Sequence, residues 1–141
     1  RMGDPECQVI MPRLKTDLVK IITNALANKL KKIKIKWKIN KSMTIVLCSK
    51  GYPGSYKKNM KIKNINKLKL LKDEFIYHAG TKLINKKLVS NGGRVLNITA
   101  IGKSLYDIRK KIIKLIKKLN WTAGFYRKDI GWKVIKKDAN N

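Results

Sequence analysis

Apolar residues recur along this chain at two spacings, and each spacing predicts an element. Leu18, Ile21, Ile22, Ala25, Leu26 and Leu30 repeat on one face, which predicts an amphipathic helix opened by Thr16-Asp17 and ending near Leu30. Ahead of it, Asp4-Pro5-Glu6 has the composition of a helix start. Asp4 suits the cap, Pro5 the first helical position and Glu6 the positive first turn, with the helix running to about Met11 before Pro12. IKIKWKI (Ile33 to Ile39) alternates strictly, predicting a strand or an extended connector with one wet face. MTIVLCS (Met43 to Ser49) is short, apolar and β-branched, and predicts a buried strand.

GYPGSYKKN interrupts that strand with two glycines and a proline, and Asn59 can accept φ > 0 at its tail. Lys61 to Lys72 has weak periodicity and reads as loop plus edge strand. EFIYHAG, LVSNGGR and VLNITAIG supply three further strand-like pieces separated by glycine-rich turns. Ser104 and Asp107 resemble a capping box, with aspartate in the usual glutamate place. Behind them Leu105, Ile108, Ile112, Leu115, Ile116 and Leu119 form one helical stripe. WTAGFYRKDIGWKVI closes the chain as a strand and turn that bring Trp121 and Trp132 toward the sheet. The pattern is α+β: N-terminal helices, a mostly antiparallel sheet and one long amphipathic helix.

Composition changes this picture little. At 141 residues and 43% hydrophobic content the chain suits one ordinary domain with a core, and no apolar run approaches the length needed to cross a bilayer. The net charge of +27 by itself describes a nucleic-acid or membrane-surface binder. Yet only five of the 35 basic residues are arginine (Arg1, Arg13, Arg94, Arg109 and Arg127), the type that grips phosphates bidentately. The lysines spread through every segment, so a solvated surface is the favoured reading and a lysine-rich nucleic-acid-binding module the alternative. Cys7 and Cys48 have no metal-type or redox-type spacing, and a reducing cytoplasm is the simplest setting.

Candidate chemistry is sparse. His78 is the one histidine and reads as a hydrogen-bonded structural residue at a strand end; Asp73-Glu74 reads as a solvated turn. Anion handling is more credible. GYPGSY and SNGGRV place glycines beside strands, where backbone N–H groups can approach a phosphate or carboxylate, and Arg94 directly follows Gly92-Gly93. An ordinary hairpin turn with a surface arginine fits the second motif equally well.

Taken in order, RMGDPE, SKGYPGSY, HAGTK, NGGRVLNITAIG and FYRKDIGW resemble the C-terminal part of the phosphoribosylamine–glycine ligases, an ATP-grasp family. The resemblance runs from Arg1 to about Val134. It implies residues 1–31 as the end of an ATP-grasp domain and 32–141 as a substrate-side sheet domain. The chain would then be the end of a longer enzyme that joins glycine to 5-phosphoribosylamine through a glycyl phosphate, hydrolysing ATP with Mg²⁺ or Mn²⁺. The metal and ATP ligands would lie ahead of Arg1, so neither cofactor is expected on this chain alone. By the same resemblance Arg1 and Asp4 are the catalytic candidates, bordering the reacting phosphate and the substrate amine. Arg94, Gly92 and Gly93 are expected at the 5′-phosphate of the ribosyl substrate, with Lys82 as partner and Lys50 and Gly51 lining the same cleft. Arg127, Lys128 and Asp129 shape its rim or form a structural ion pair. The partners implied are the two small-molecule substrates and the preceding part of the enzyme, with no specific nucleic acid and no membrane. A third reading makes the chain a structural piece that docks through the apolar face of the Thr16–Leu30 helix.

Overall fold

The computed structural model describes residues 2–138. Its centre is a four-stranded antiparallel sheet. β1 (Lys41–Ser49) lies between β5 (Arg94–Gly102) and the two-residue β6 (Gly124–Phe125), and β2 (Glu74–His78) flanks β5 on its other side. A separate hairpin pairs β3 (Thr81–Ile84) with β4 (Lys87–Ser90). Four helices accompany the sheet among the described residues: α1 (Cys7–Ile10), α2 (Leu18–Leu26), α3 (Leu105–Leu119) and α4 (Trp132–Asp138).

The core forms where the two predicted periodicities meet. Met43, Ile45 and Leu47 of β1 stand opposite Ala100, Ile98 and Leu96 of β5, so they share one face of the sheet. Ile108, Ile112, Leu115, Ile116 and Leu119 of α3 are buried with them in one cluster. Every residue from Val95 to Ile101 is buried, because the opposite face of β5 is also covered, in part by α1. On that second face Thr99 donates to Thr44 at 2.8 Å, and the fully buried Asn97 makes no hydrogen bond through its side chain within the described residues.

Several terminal details differ from expectation, each for a local reason. Asp4 does not cap the helix: α1 opens at Cys7 with Glu6 at its N-cap, and the Asp4 carboxylate is engaged elsewhere. Asp17 does cap α2, accepting from the Lys20 N–H at 2.9 Å, and Ser104 accepts from the Asp107 N–H at 3.3 Å. Helix α2 stops at Leu26, and a 3₁₀ turn over Leu30–Lys32 follows Asn28, which has φ +55°. Ile33–Ile39 is an extended connector, tied to the N-terminal segment by a bridge between Trp37 and Leu14 and by the Lys38 N–H donating to Arg13 O at 2.8 Å. Lys61–Lys72 makes no named strand, only a bridge from Lys61 to Val89 and a 3₁₀ turn.

The Asp73-Glu74 pair is no solvated turn. Glu74 is buried with its carboxylate accepting from the Leu71 N–H at 3.0 Å, and Asp73 pairs with Lys111 of α3. The expected strand and turn of WTAGFYRKDIGWKVI are present as β6 and the residues after it, but helix α4 follows them, and Trp132 lies outward, half exposed beneath the ammoniums of Lys133 and Lys136. Trp121 does pack on the core. Helix α2 buries none of its residues: Val19 is 67% exposed and Leu26 81%, so its apolar face meets solvent.

Candidate functional site

Three glycine-bearing loops meet at one end of the sheet, and their packing explains the glycines. Ser49, at the end of β1, donates its backbone N–H to Gly93 O at 2.8 Å and its hydroxyl to Gly92 O at 2.9 Å. Gly80 donates to Arg94 O at 2.9 Å, and a Cβ on Gly80 would lie 2.7 Å from the Gly92 Cα. Gly93 is buried under the Tyr52 ring, and a Cβ there would sit 2.0 Å from Tyr52 Cδ2. Gly51 takes φ +97°, a conformation suited to glycine, with Ser55 O closing on the space a side chain would need. Gly92 and Gly93 thus let backbones and a ring approach; Gly93 in particular is covered by protein.

Arg94 projects from this junction. Leu47 pairs with Leu96, but Cys48 pairs with Arg94, so one residue of β5, Val95, is bulged at this step. The bulge moves Arg94 off the α3 face, where simple alternation with Leu96 would put it, to the face shared with Cys48 and α1. There its Nη2 lies 3.3 Å from Asp4 Oδ2, both side chains being nearly half exposed. Asp4 Oδ1 accepts from Gln8 Nε2 at 3.1 Å. The arrangement is a guanidinium at the mouth of the glycine junction, held by one carboxylate and open to solvent beside it. It can exchange that carboxylate for a solute anion.

The other sequence candidates divide. Lys82 is exposed on β3, two residues beyond the Gly80–Arg94 contact. Lys50 does not join Arg94; it lines a cavity with Tyr56, Lys57 and Met60. Arg127 and Asp129 pair with each other at 2.6 Å on the surface, and the hydrogen bond from Arg127 holds Asp129 below the usual carboxylate range. Arg109 anchors their turn by donating to Ile130 O and Lys128 O. His78 Nδ1 shares a hydrogen bond with Thr81 at 3.0 Å, as a structural histidine should. Arg1 lies outside the described residues. Sequence reasoning missed Tyr52, whose ring covers Gly93, and Cys48, which faces Arg94. The signal available for Tyr52 was its position beside Gly51 in a loop already marked as tight.

Burial pushes the Cys48 thiol above its ordinary value, and the Arg94 guanidinium opposes that shift. Two results follow for the midpoint of Cys48 alkylation against pH. It should lie above that of an unstructured thiol, and it should climb further in Arg94→Met, which keeps bulk but removes the charge. A midpoint that falls in the variant would show that Arg94 and Cys48 do not share this face. The linked stability has a definite sign. It is fully present below the unfolded thiol's pKa and is lost as pH rises through the higher folded value.

An antiparallel sheet covered by one long helix, with a guanidinium exposed among close-packed loops at its end, defines an α+β domain with a cationic loop junction. Residues 42–133, from the start of β1 into α4, match the family described as phosphoribosylglycinamide synthetase, C domain, and the chain belongs to that family. It is 44% identical over 138 residues to a phosphoribosylamine–glycine ligase of Agrobacterium fabrum, covering 98% of this chain and 32% of that protein. A chloroplastic phosphoribosylamine–glycine ligase of Arabidopsis thaliana is 41% identical, covering 96% of this chain and 26% of the relative. The crystal structure of the phosphoribosylamine–glycine ligase of Thermotoga maritima superposes with a TM-score of 0.67 at 29% identity, over 92% of this chain and 31% of that one. The chain therefore spans about a third of the length of the relatives it matches. No helix among the described residues is long and apolar enough to cross a membrane.

Proposed function

We propose that this chain supplies the substrate-side part of a phosphoribosylamine–glycine ligase, with Arg94 gripping the 5′-phosphate of the ribosyl substrate. The observation that carries the reading is the half-exposed Arg94 guanidinium at the junction of the three loops, within a chain whose relatives are ligases of that name. A planar guanidinium offers two parallel N–H groups to a phosphate, and a dianion outcompetes a single carboxylate for them. Phosphate arrival would release Asp4, whose freed carboxylate would then face the amine end of the substrate. Lys82 adds a compact positive charge at the edge. These contacts position the substrate, which is where a ligase of this kind gains much of its rate.

The described residues include no group of three or more His, Cys, Asp or Glu side chains able to hold a metal ion, so they do not fit Mg²⁺. Mg²⁺ and ATP both belong, in this reading, to the remaining two-thirds of the relatives' length. The exposed apolar face of α2 is the place where that part would pack, residues 1–31 being its continuation. The unpaired thiols of Cys7 and Cys48 suit a reducing, cytoplasmic setting.

Titration of the chain with glycinamide ribonucleotide tests the proposal. Binding that requires the phosphate and survives about 0.2 M salt supports it, since the Debye length is then under about 10 Å and diffuse lysine attraction is screened. No binding at millimolar ligand overturns the Arg94 assignment for this chain. Asp4→Asn gives a result of unusual sign. By removing the competing carboxylate it should tighten binding of ribose 5-phosphate by up to about fivefold, the equivalent of an exposed ion pair of up to about 1 kcal/mol. Weaker binding in Asp4→Asn would mean that Asp4 orients Arg94 rather than competes for the phosphate.

A further inference from the structure

Lys50 opens onto a cavity that none of Asp4, Lys82, Gly92, Gly93 or Arg94 lines. Its volume is about 740 Å³, within the range of sites that take small organic ligands, and its walls include Lys50, Ser55, Tyr56, Lys57, Met60 and Thr122. The wall chemistry is of three kinds: an aromatic ring and a thioether, two ammonium groups, and the hydroxyl-bearing Ser55 and Thr122. Neither ammonium has an acidic partner among the described residues.

The walls are tied to the fold from three directions. Lys50 donates its N–H to Ala123 O at 3.0 Å, joining the β1 end to the segment before β6. Met60 is locked to the buried Ser90, exchanging backbone bonds of 2.9 Å and 3.2 Å with its N–H and hydroxyl. Tyr56 packs edge-on against Tyr52 with centroids 6.2 Å apart, and Tyr52 lies on Gly93. A cavity held this way needs little ordering when a ligand enters.

We propose that this cavity binds an aromatic monophosphate, of which a nucleoside 5′-monophosphate is the biological form. A planar base would lie against the Tyr56 ring and the Met60 thioether, contacts open to any flat π-system. The phosphate would bridge Lys50 and Lys57, point charges on flexible stems that can close on a dianion from two sides. The site stands apart from the Arg94 reading, and the two fail separately.

The test is titration of the chain with adenosine 5′-monophosphate at moderate salt, with adenosine and ribose 5-phosphate as the two half-ligands. A methionine methyl label on Met60 reports the position. Adenosine 5′-monophosphate is expected to bind at least about tenfold more tightly than adenosine and to shift the Met60 methyl resonance. Lys57→Ala and Lys50→Ala should each weaken it by about tenfold, Lys57→Arg should retain it, and Arg94→Ala should leave this site's affinity unchanged. Ribose 5-phosphate should show the reverse dependence. The proposal is overturned if the nucleotide fails to bind at millimolar concentration. It is equally overturned if binding is lost in Arg94→Ala while Lys57→Ala and the Met60 methyl are unaffected, which would place the nucleotide's phosphate on Arg94. Neither outcome touches ribose 5-phosphate binding, so the ligase reading would survive both.

Discussion

Arg94→Ala is expected to weaken binding of glycinamide ribonucleotide by about ten- to hundredfold while leaving the far-ultraviolet circular dichroism unchanged. A hydrogen bond from a charged donor contributes about 1.5–3 kcal/mol, and that range converts to the stated factors. The lower half is favoured, because Arg94 is nearly half exposed and must leave Asp4 before it takes a phosphate. The fold should be indifferent: the side chain projects outward, and the junction beneath it is held by Arg94's backbone carbonyl, which alanine retains. Arg94→Lys should recover only part of the loss, since an ammonium keeps the charge but not the two-pronged geometry. Equal affinity in wild type and Arg94→Ala, measured at matched salt, would remove Arg94 from the site.

Gly93→Ala should destabilise the chain by about 1–3 kcal/mol, the usual cost of forcing extra atoms into a packed site. The new methyl carbon would fall 2.0 Å from Cδ2 and 2.5 Å from Cε2 of Tyr52, so the ring must leave. The diagnostic is non-additivity. Once Tyr52→Ala has removed the ring, Gly93→Ala should cost much less, giving a coupling energy of about 1 kcal/mol or more in a double-mutant cycle by urea unfolding. Additive penalties would mean that the alanine clashes with backbone instead. A loss of nucleotide binding in Tyr52→Ala would extend the consequence to the cavity, through the Tyr52–Tyr56 contact.

The parts of this fold legible in the sequence are those where one periodicity meets one buried face. The Leu105–Leu119 stripe and the MTIVLCS run translate directly into α3 and β1, because in each the apolar residues mark the side against the core. WTAGFYRKDIGWKVI is legible only in its first part, where β6 forms, and not in α4. Trp132 was expected toward the sheet, but Trp132 and Val134 lie outward and Ile135 packs on the core, so that end of the segment can coil. Strand β3 carries almost no signal, since Lys82, Leu83 and Ile84 are all exposed. Glu74 is buried only because a carboxylate can close a turn three residues back, a contact that composition does not announce.

The candidate site was legible in its ingredients and not in its assembly. Gly92, Gly93 and Arg94 stand together in the chain, but alternation places Arg94 on the face of Leu96. The bulge at Val95 is what brings it to Asp4, ninety positions away in the chain. Lys50 and Gly51 were expected in one cleft with Arg94; Lys50 instead lines a separate cavity with Ser55 and Tyr56, and Gly51 does not line it. Lys57 was hidden among 35 basic residues, where only its place beside Tyr56 sets it apart.

The uncovered stripe on α2 also bears on how the chain behaves in bulk. Molecules carrying +27 repel one another strongly in dilute buffer, which keeps the half-bare Leu18, Val19, Ile22 and Leu26 from meeting a second copy. Raising the salt shortens the reach of that repulsion from about 10 Å at 0.1 M to about 3 Å at 1 M, while burial of greasy surface loses nothing. Light scattering should therefore record a second virial coefficient that falls from positive toward negative as salt increases. Purification that relies on salt to strip adhering polyanions would drive the same molecules toward precipitation, and a single Leu26→Lys change should widen the window between the two.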